Sequence, residues 1–170
     1  MDKHLFLLGF MGAGKSYWGQ KLALERGLPF YDLDQFIENQ TGKTIPEIFE
    51  SMGSHAFRQM EATQLRALEH LPPGIVAVGG GTPCFYDNME WMNAQGLTVY
   101  IKVPVPVLLA RLEKETAQRP VLAGKLGAEL EQFVVQLLGE RTVYYEQADL
   151  VLEVTEDFNT ILIQYLNTKA

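Results

Sequence analysis

One eight-residue segment, Gly9-Phe10-Met11-Gly12-Ala13-Gly14-Lys15-Ser16, constrains this chain more than any other. It fits G-x-x-x-x-G-K-[ST]. Before it stands the short apolar run Leu5 to Leu8, and after it Ser16 to about Arg26 reads as a helix closed by Gly27. A strand feeding a glycine-rich turn that opens a helix is the context in which this pattern binds phosphate. The glycines permit tight turns and close approach to an anion. Loop N–H groups and the helix N-terminus then bind the phosphates. Lys15 is expected to neutralise the β and γ phosphates, and Ser16 to ligate magnesium. Gly12, Ala13, Gly14, Lys15 and Ser16 are therefore the expected nucleotide-binding residues, with a nucleoside triphosphate as co-substrate and Mg2+ as cofactor.

The rest of the chain alternates in type. Further apolar or β-rich runs are expected as strands at Pro29 to Asp32, Ile75 to Val78, Thr98 to Val103 and Leu150 to Val154. Between them, helices are expected over Asp34 to Asn39 and from Thr44, where Thr44 and Glu47 form a capping box and Pro46 suits the first turn. Gly53-Ser54 should interrupt that helix, and Pro72-Pro73-Gly74 should end its continuation near Leu71. More helix is expected over Tyr86 to Ala94, from Pro104 or Val105 to Leu112, over Leu126 to Gln147 with Gly139 as a weak point, and over Phe158 to Leu166. Strands alternating with helices imply a three-layer α/β architecture with right-handed crossovers. A length of 170 residues suits one domain, and an apolar fraction of 47% argues against disorder.

A formal charge of −7 disfavours nucleic acid and anionic membranes as partners, while leaving room for a local basic pocket. The apolar run before Gly9 is too short for a membrane span, and the glycines and Lys15 that follow do not suit a secretory segment, so a soluble, intracellular protein is expected. The single cysteine, Cys84, fits a reducing compartment and reads as a bystander thiol. His4, His55 and His70 are too scattered to form a metal site.

Short length and the absence of an N-K-x-D element favour an ATP-dependent small-molecule kinase over a motor or a GTPase. The candidates for the acceptor side are spread along the chain. Asp32 and Asp34 fall at the carboxyl end of the second strand, where open α/β sheets bind ligands. If the strand continued they would share a face, one carboxylate serving the metal and the other the acceptor hydroxyl. The alternative is a polar strand end with Asp34 capping the next helix. Arg58 and Glu61 stand at i,i+3 on a helix, either as a surface ion pair or as a guanidinium held for a ligand carboxylate. Gly79-Gly80-Gly81 puts bare backbone beside the phosphate loop, for ligand approach or as a plain turn. Arg119, in the polar stretch from Thr116 to Leu122, could close over the phosphates or stay solvated. Arg141 could be a second carboxylate clamp, with Tyr144 one turn on, or could pair with a nearby Glu.

Taken together, and in this order over essentially the whole chain, these segments resemble the shikimate kinase family. The resemblance implies a P-loop kinase fold with a five-stranded parallel sheet of order 2-3-1-4-5. It implies one domain over 1–170, with an acceptor-binding region at about 33–61 and a lid at about 113–125. By the same resemblance, Lys15, Asp34 and Arg119 would be catalytic, with Lys15 on the transferred phosphate and Asp34 on the ring hydroxyl. Ser16 would bind magnesium and Asp32 its shell through water. Asp34, Arg58, Gly80 and Arg141 would hold shikimate, and Arg111 would stack near adenine. The implied reaction moves the γ-phosphoryl of ATP to the 3-hydroxyl of shikimate, in a cytoplasmic monomer serving chorismate synthesis. Two positions depart from the family pattern: Tyr17, which the resemblance adds to the nucleotide-binding residues, stands where a second Thr is frequent, and Thr142-Val143 follows Arg141 where Pro-Leu is common. A gluconate-type kinase, a nucleoside monophosphate kinase and a nucleotide-binding regulatory protein derived from a kinase are the competing readings. The last would be expected to lose Asp34 or Arg58, and both are present.

Overall fold

The structure is a computed structural model that describes residues 2–114, 122, 124–154 and 158–169. Five parallel strands, β1 (His4–Leu8), β2 (Phe30–Asp32), β3 (Ile75–Ala77), β4 (Gly96–Lys102) and β5 (Leu150–Glu153), form one sheet in the order β2-β3-β1-β4-β5. The helices are α1 (Lys15–Arg26), α2 (Leu33–Thr41), α3 (Ile45–Ala67), α4 (Asn88–Gln95), α5 (Val105–Leu112), α6 (Gly127–Tyr145) and α7 (Phe158–Lys169). This is the α/β fold and strand order that the family resemblance implies.

The unbroken apolar character of β1 follows from burial on both faces. Leu5 and Leu7 join a core with Leu22 of α1, Leu108 of α5, Val134 of α6 and Leu162 of α7. Phe6 and Leu8, pointing the other way, join a core with Ile37 of α2, Ile48 and Leu65 of α3, and Met92 of α4. Helices thus cover the sheet on two sides. Among the described residues no helix is long and apolar enough to cross a membrane.

Several boundaries differ from the sequence reading, each for a local reason. Asp32 does not continue β2 toward Asp34; its side chain accepts from the N–H groups of Asp34 and Gln35 and caps α2. Helix α4 begins at Asn88 rather than Tyr86, because Tyr86 sits at φ 52°, outside the right-handed helical region. β4 begins at Gly96, since pairing with His4 extends the ladder. Gly139 leaves α6 unbroken. The capping box at Thr44 and Glu47 is formed, and at Gly53 the backbone leaves helical geometry, as the sequence suggests.

The register positions the site. Leu7 pairs with Ala77, and Ala77 with Asp32. The chain leaves these adjacent strands at one edge of the sheet as the phosphate loop, the start of α2 and the triple-glycine turn.

Candidate active site

The phosphate loop is held open from within. Gly12 and Gly14 take φ 78° and 89°, which L side chains rarely adopt, and Gly14 leads directly into α1. The ammonium group of Lys15 donates to the Gly9 and Phe10 carbonyls at 2.9 and 3.0 Å, so it lies against its own loop. The Ser16 hydroxyl donates to Asp32 Oδ2 at 2.6 Å. Arg111, reaching from α5, donates to the Gly12 carbonyl at 2.7 Å. These groups, with Asp34 and Gly80, line a cleft of 470 Å³ that Tyr17 and Trp18 also border. The Tyr17 ring stands edge-on to that of Trp18 at 5.1 Å and is largely exposed.

Beyond the loop the cleft meets Asp34, and the Arg58–Glu61 pair lies against the glycine turn that borders it. Burial raises the Asp34 carboxyl to about 6, with further upward pushes from Asp32 and Glu61 and opposing pulls from Lys15 and Arg58. Glu61 is fully buried and accepts from Arg58 Nη1 at 2.6 Å and from the Thr82 hydroxyl at 2.6 Å. The Arg58 side chain is 12% exposed, and its guanidinium stacks over Phe85 at 4.3 Å and Phe57 at 5.0 Å. The pair that could have been a surface bridge is therefore an interior one.

The triple-glycine turn is explained by what packs on it. A Cβ at Gly79 would lie 2.9 Å from Glu61 Oε1, and one at Gly81 would lie 2.5 Å from Arg58 Nη2. At Gly80 it would lie 3.2 Å from the Met11 N of the phosphate loop and 3.4 Å from Arg141 Nη1. The Gly80 carbonyl accepts from the hydroxyl of Tyr145, a fully buried side chain of α6. Arg141, one turn earlier, lies over Phe10 at 5.7 Å.

A family model described as shikimate kinase matches residues 11–168. The chain belongs to the shikimate kinase family. It is 44% identical over 151 residues to the shikimate kinase of Parabacteroides distasonis, covering 89% of this chain and 87% of the relative. Against the shikimate kinase of Azobacteroides pseudotrichonymphae it is 39% identical over 168 residues, 98% and 99% of the two chains. Among solved structures, that of shikimate kinase from Bacteroides thetaiotaomicron superposes with a TM-score of 0.88 at 37% identity, covering 98% and 97%. The Acinetobacter baumannii shikimate kinase in complex with shikimate gives 0.89 at 33% identity, covering 98% and 94%.

For this member of the shikimate kinase family, the structure brings Lys15, Ser16, Asp32, Asp34, Gly80 and Arg111 to one cleft, with Arg58 and Arg141 flanking the triple-glycine turn. Arg119, and with it most of the lid expected at 113–125, lies outside the described residues. Three neighbours were not singled out for the site from sequence. Thr82 carries no signal of its own beyond following the glycines. Trp18 reads as a packing anchor yet borders the cleft. Tyr145, rather than Tyr144, faces the turn; the i+4 relation to Arg141 was a usable clue.

Proposed function

We propose that this chain transfers the γ-phosphoryl group of ATP to the 3-hydroxyl of shikimate, giving shikimate 3-phosphate and ADP. The observation that carries the reading is the cleft and its flank: a phosphate loop facing Asp34 and a bare glycine turn, against which the buried Glu61 carboxylate holds the Arg58 guanidinium. The family supports ATP as donor, and the relative bound to shikimate supports the acceptor.

Lys15 would leave its two loop carbonyls to meet the transferred phosphate, helped by the N–H groups of Gly12, Ala13 and Gly14. Tyr17 and Arg111 flank the nucleoside end. The Ser16 hydroxyl and the Asp32 carboxylate, already paired, are a hard-oxygen donor set that fits magnesium, with Asp32 acting through water. Magnesium, when bound, neutralises phosphate charge. Arg58 and Arg141 would take the shikimate carboxylate, and the Gly80 backbone its ring. Asp34 would align the attacking hydroxyl and receive its proton, which its environment suits, since a group titrating near neutrality is an effective base. Arg119 from a lid at about 113–125 would cover the phosphates and exclude water. The acceptor region is about 33–61 within one domain, and the protein works as a cytoplasmic monomer.

The test is ADP release from ATP and magnesium with shikimate, with gluconate, and with neither. Strong stimulation by shikimate alone is expected. Equal stimulation by gluconate, or none by either while ATP still binds, would overturn the reading.

A further inference from the structure

Thr82 follows the triple-glycine turn and is wholly buried. Its hydroxyl donates to Glu61 Oε1, while Arg58 Nη1 donates to Oε2, each at 2.6 Å. The two oxygens of a fully buried carboxylate are thus divided between a guanidinium and a hydroxyl. Thr82 is itself anchored from the other side. Its carbonyl accepts from the buried Asn88 Nδ2 at 2.9 Å, Asn88 Oδ1 accepts from Arg66 Nη1, and Arg66 pairs with Asp87. Arg58, Glu61 and Arg66 all belong to α3, so Thr82 ties that helix to the start of α4 at the level of the cleft.

We propose that Thr82 is a positioning residue for the acceptor, acting through Glu61 to set the plane and direction of the Arg58 guanidinium. This rests on the reading of Arg58 as a shikimate carboxylate ligand. With Nη1 committed to Glu61, the guanidinium can turn only if Glu61 turns with it. The Thr82 hydroxyl blocks that turn by holding the opposite oxygen. Arg58 Nε is buried and has no hydrogen-bond partner among the described residues, so this edge of the guanidinium holds a donor in reserve. A planar fork must be aimed to meet a carboxylate with two parallel bonds, and a small rotation forfeits one of them. Glu61 without Thr82 loses one of its two restraints.

Steady-state kinetics of the full chain test this with Thr82→Val, which keeps the shape and removes the hydroxyl, and Thr82→Ser, which keeps the hydroxyl. The expected result is a rise of about 10-fold in the shikimate KM for Thr82→Val, the scale of one hydrogen bond to a charged group. Its kcat and ATP KM should stay within about 2-fold, and Thr82→Ser should restore the shikimate KM to within the same factor. A lowered Tm with an unchanged shikimate KM would make Thr82 a packing residue only and overturn the inference. So would a fall in kcat alone, or failure of Ser to rescue. If Thr82→Val does not fold, Thr82→Ala against Thr82→Ser gives the same comparison. The unaltered chain and Arg58→Ala separate the two levels. No shikimate-dependent ADP release by the unaltered chain overturns the proposed function. A raised KM in Arg58→Ala with none in Thr82→Val overturns the role of Thr82 alone.

Discussion

The Ser16 hydroxyl donates to Asp32 Oδ2 across 2.6 Å, while the other oxygen of that carboxylate accepts from the N–H groups of Asp34 and Gln35. One side chain therefore joins the phosphate loop to the helix that carries Asp34, and serves both as a helix cap and as a candidate metal-shell ligand. The two roles separate by mutation. Asparagine caps a helix about as well as aspartate, whereas alanine costs about 1 kcal/mol. Asp32→Asn should thus keep nearly all of the stability while raising the magnesium concentration needed for half-maximal activity several-fold. Asp32→Ala should lose both. Thermal melts set beside magnesium titrations of the rate check this; an unchanged magnesium requirement in Asp32→Asn would remove Asp32 from the metal's shell.

Burial, with the proximity of Asp32 and Glu61 added to it, gives Asp34 a pH dependence with a definite sign. Its carboxyl lies at about 6 in the folded chain against an ordinary value of 3.8. The folded state therefore binds this proton more tightly than the unfolded state. That stabilising difference is complete below about pH 4 and is lost as pH rises through 6. At pH 7.5 the ionised group costs folding about 1–3 kcal/mol. Asp34→Asn should raise the Tm at pH 7.5, gain little at pH 4, and abolish transfer to shikimate. In the unaltered chain, kcat/KM for shikimate should fall below pH 6 and level off above it. Asp32→Asn removes one of the charges that push Asp34 up, so its limb should move toward acid. A profile flat from pH 5 to 8 would dismiss Asp34 as the base.

What was legible in the sequence divides by the range of the interaction. The phosphate loop, the Thr44 cap and the buried strand β1 rest on neighbours in sequence, and each could be read directly. The sheet order was available only through the family resemblance, since apolar runs do not encode which strand pairs with which. Asp32 and Asp34 were visible as a pair, but their arrangement was not: a continuing strand and a helix cap present the same two residues, and capping by Asp32 decides between them. The character of the Arg58–Glu61 pair was illegible for a related reason. Exposure of a helix face depends on what the rest of the chain lays over it, here Thr82, Phe85 and the glycine turn, some 20 residues away in sequence.

Cys84 lies in the same region, and its chemistry follows from that placement. Burial pushes its thiol up to about 11, against opposing pulls from Arg141 and Arg58. At pH 8 its thiolate fraction should be about 100-fold below that of an ordinary cysteine; since a more basic thiolate is also about 10-fold more nucleophilic, its reaction with a disulfide reagent should be slower by about 10-fold or more. Unfolding in urea should restore the ordinary rate. Equal rates in the native and unfolded chains would show that the thiol is neither shielded nor raised.

Two glycines make opposite predictions for the same Gly→Ala change. At Gly81 the new methyl would lie 2.5 Å from Arg58 Nη2 and 2.8 Å from Cζ, closer than real contacts allow, so the guanidinium must move. Gly81 has φ −92°, so alanine meets no backbone strain there and the effect falls on Arg58 alone. Its displacement should raise the shikimate KM by about 10-fold or more while leaving the ATP KM near its starting value. Gly139 lies inside α6, and a methyl added there would meet open space out to 4 Å. There alanine replaces a flexible residue in a helix interior and should stabilise the fold by about 0.4–1 kcal/mol with no kinetic effect. Shikimate and ATP KM values and thermal melts for both variants decide the matter. A Gly81→Ala enzyme with an ordinary shikimate KM would mean that the position of the Arg58 guanidinium does not govern acceptor binding.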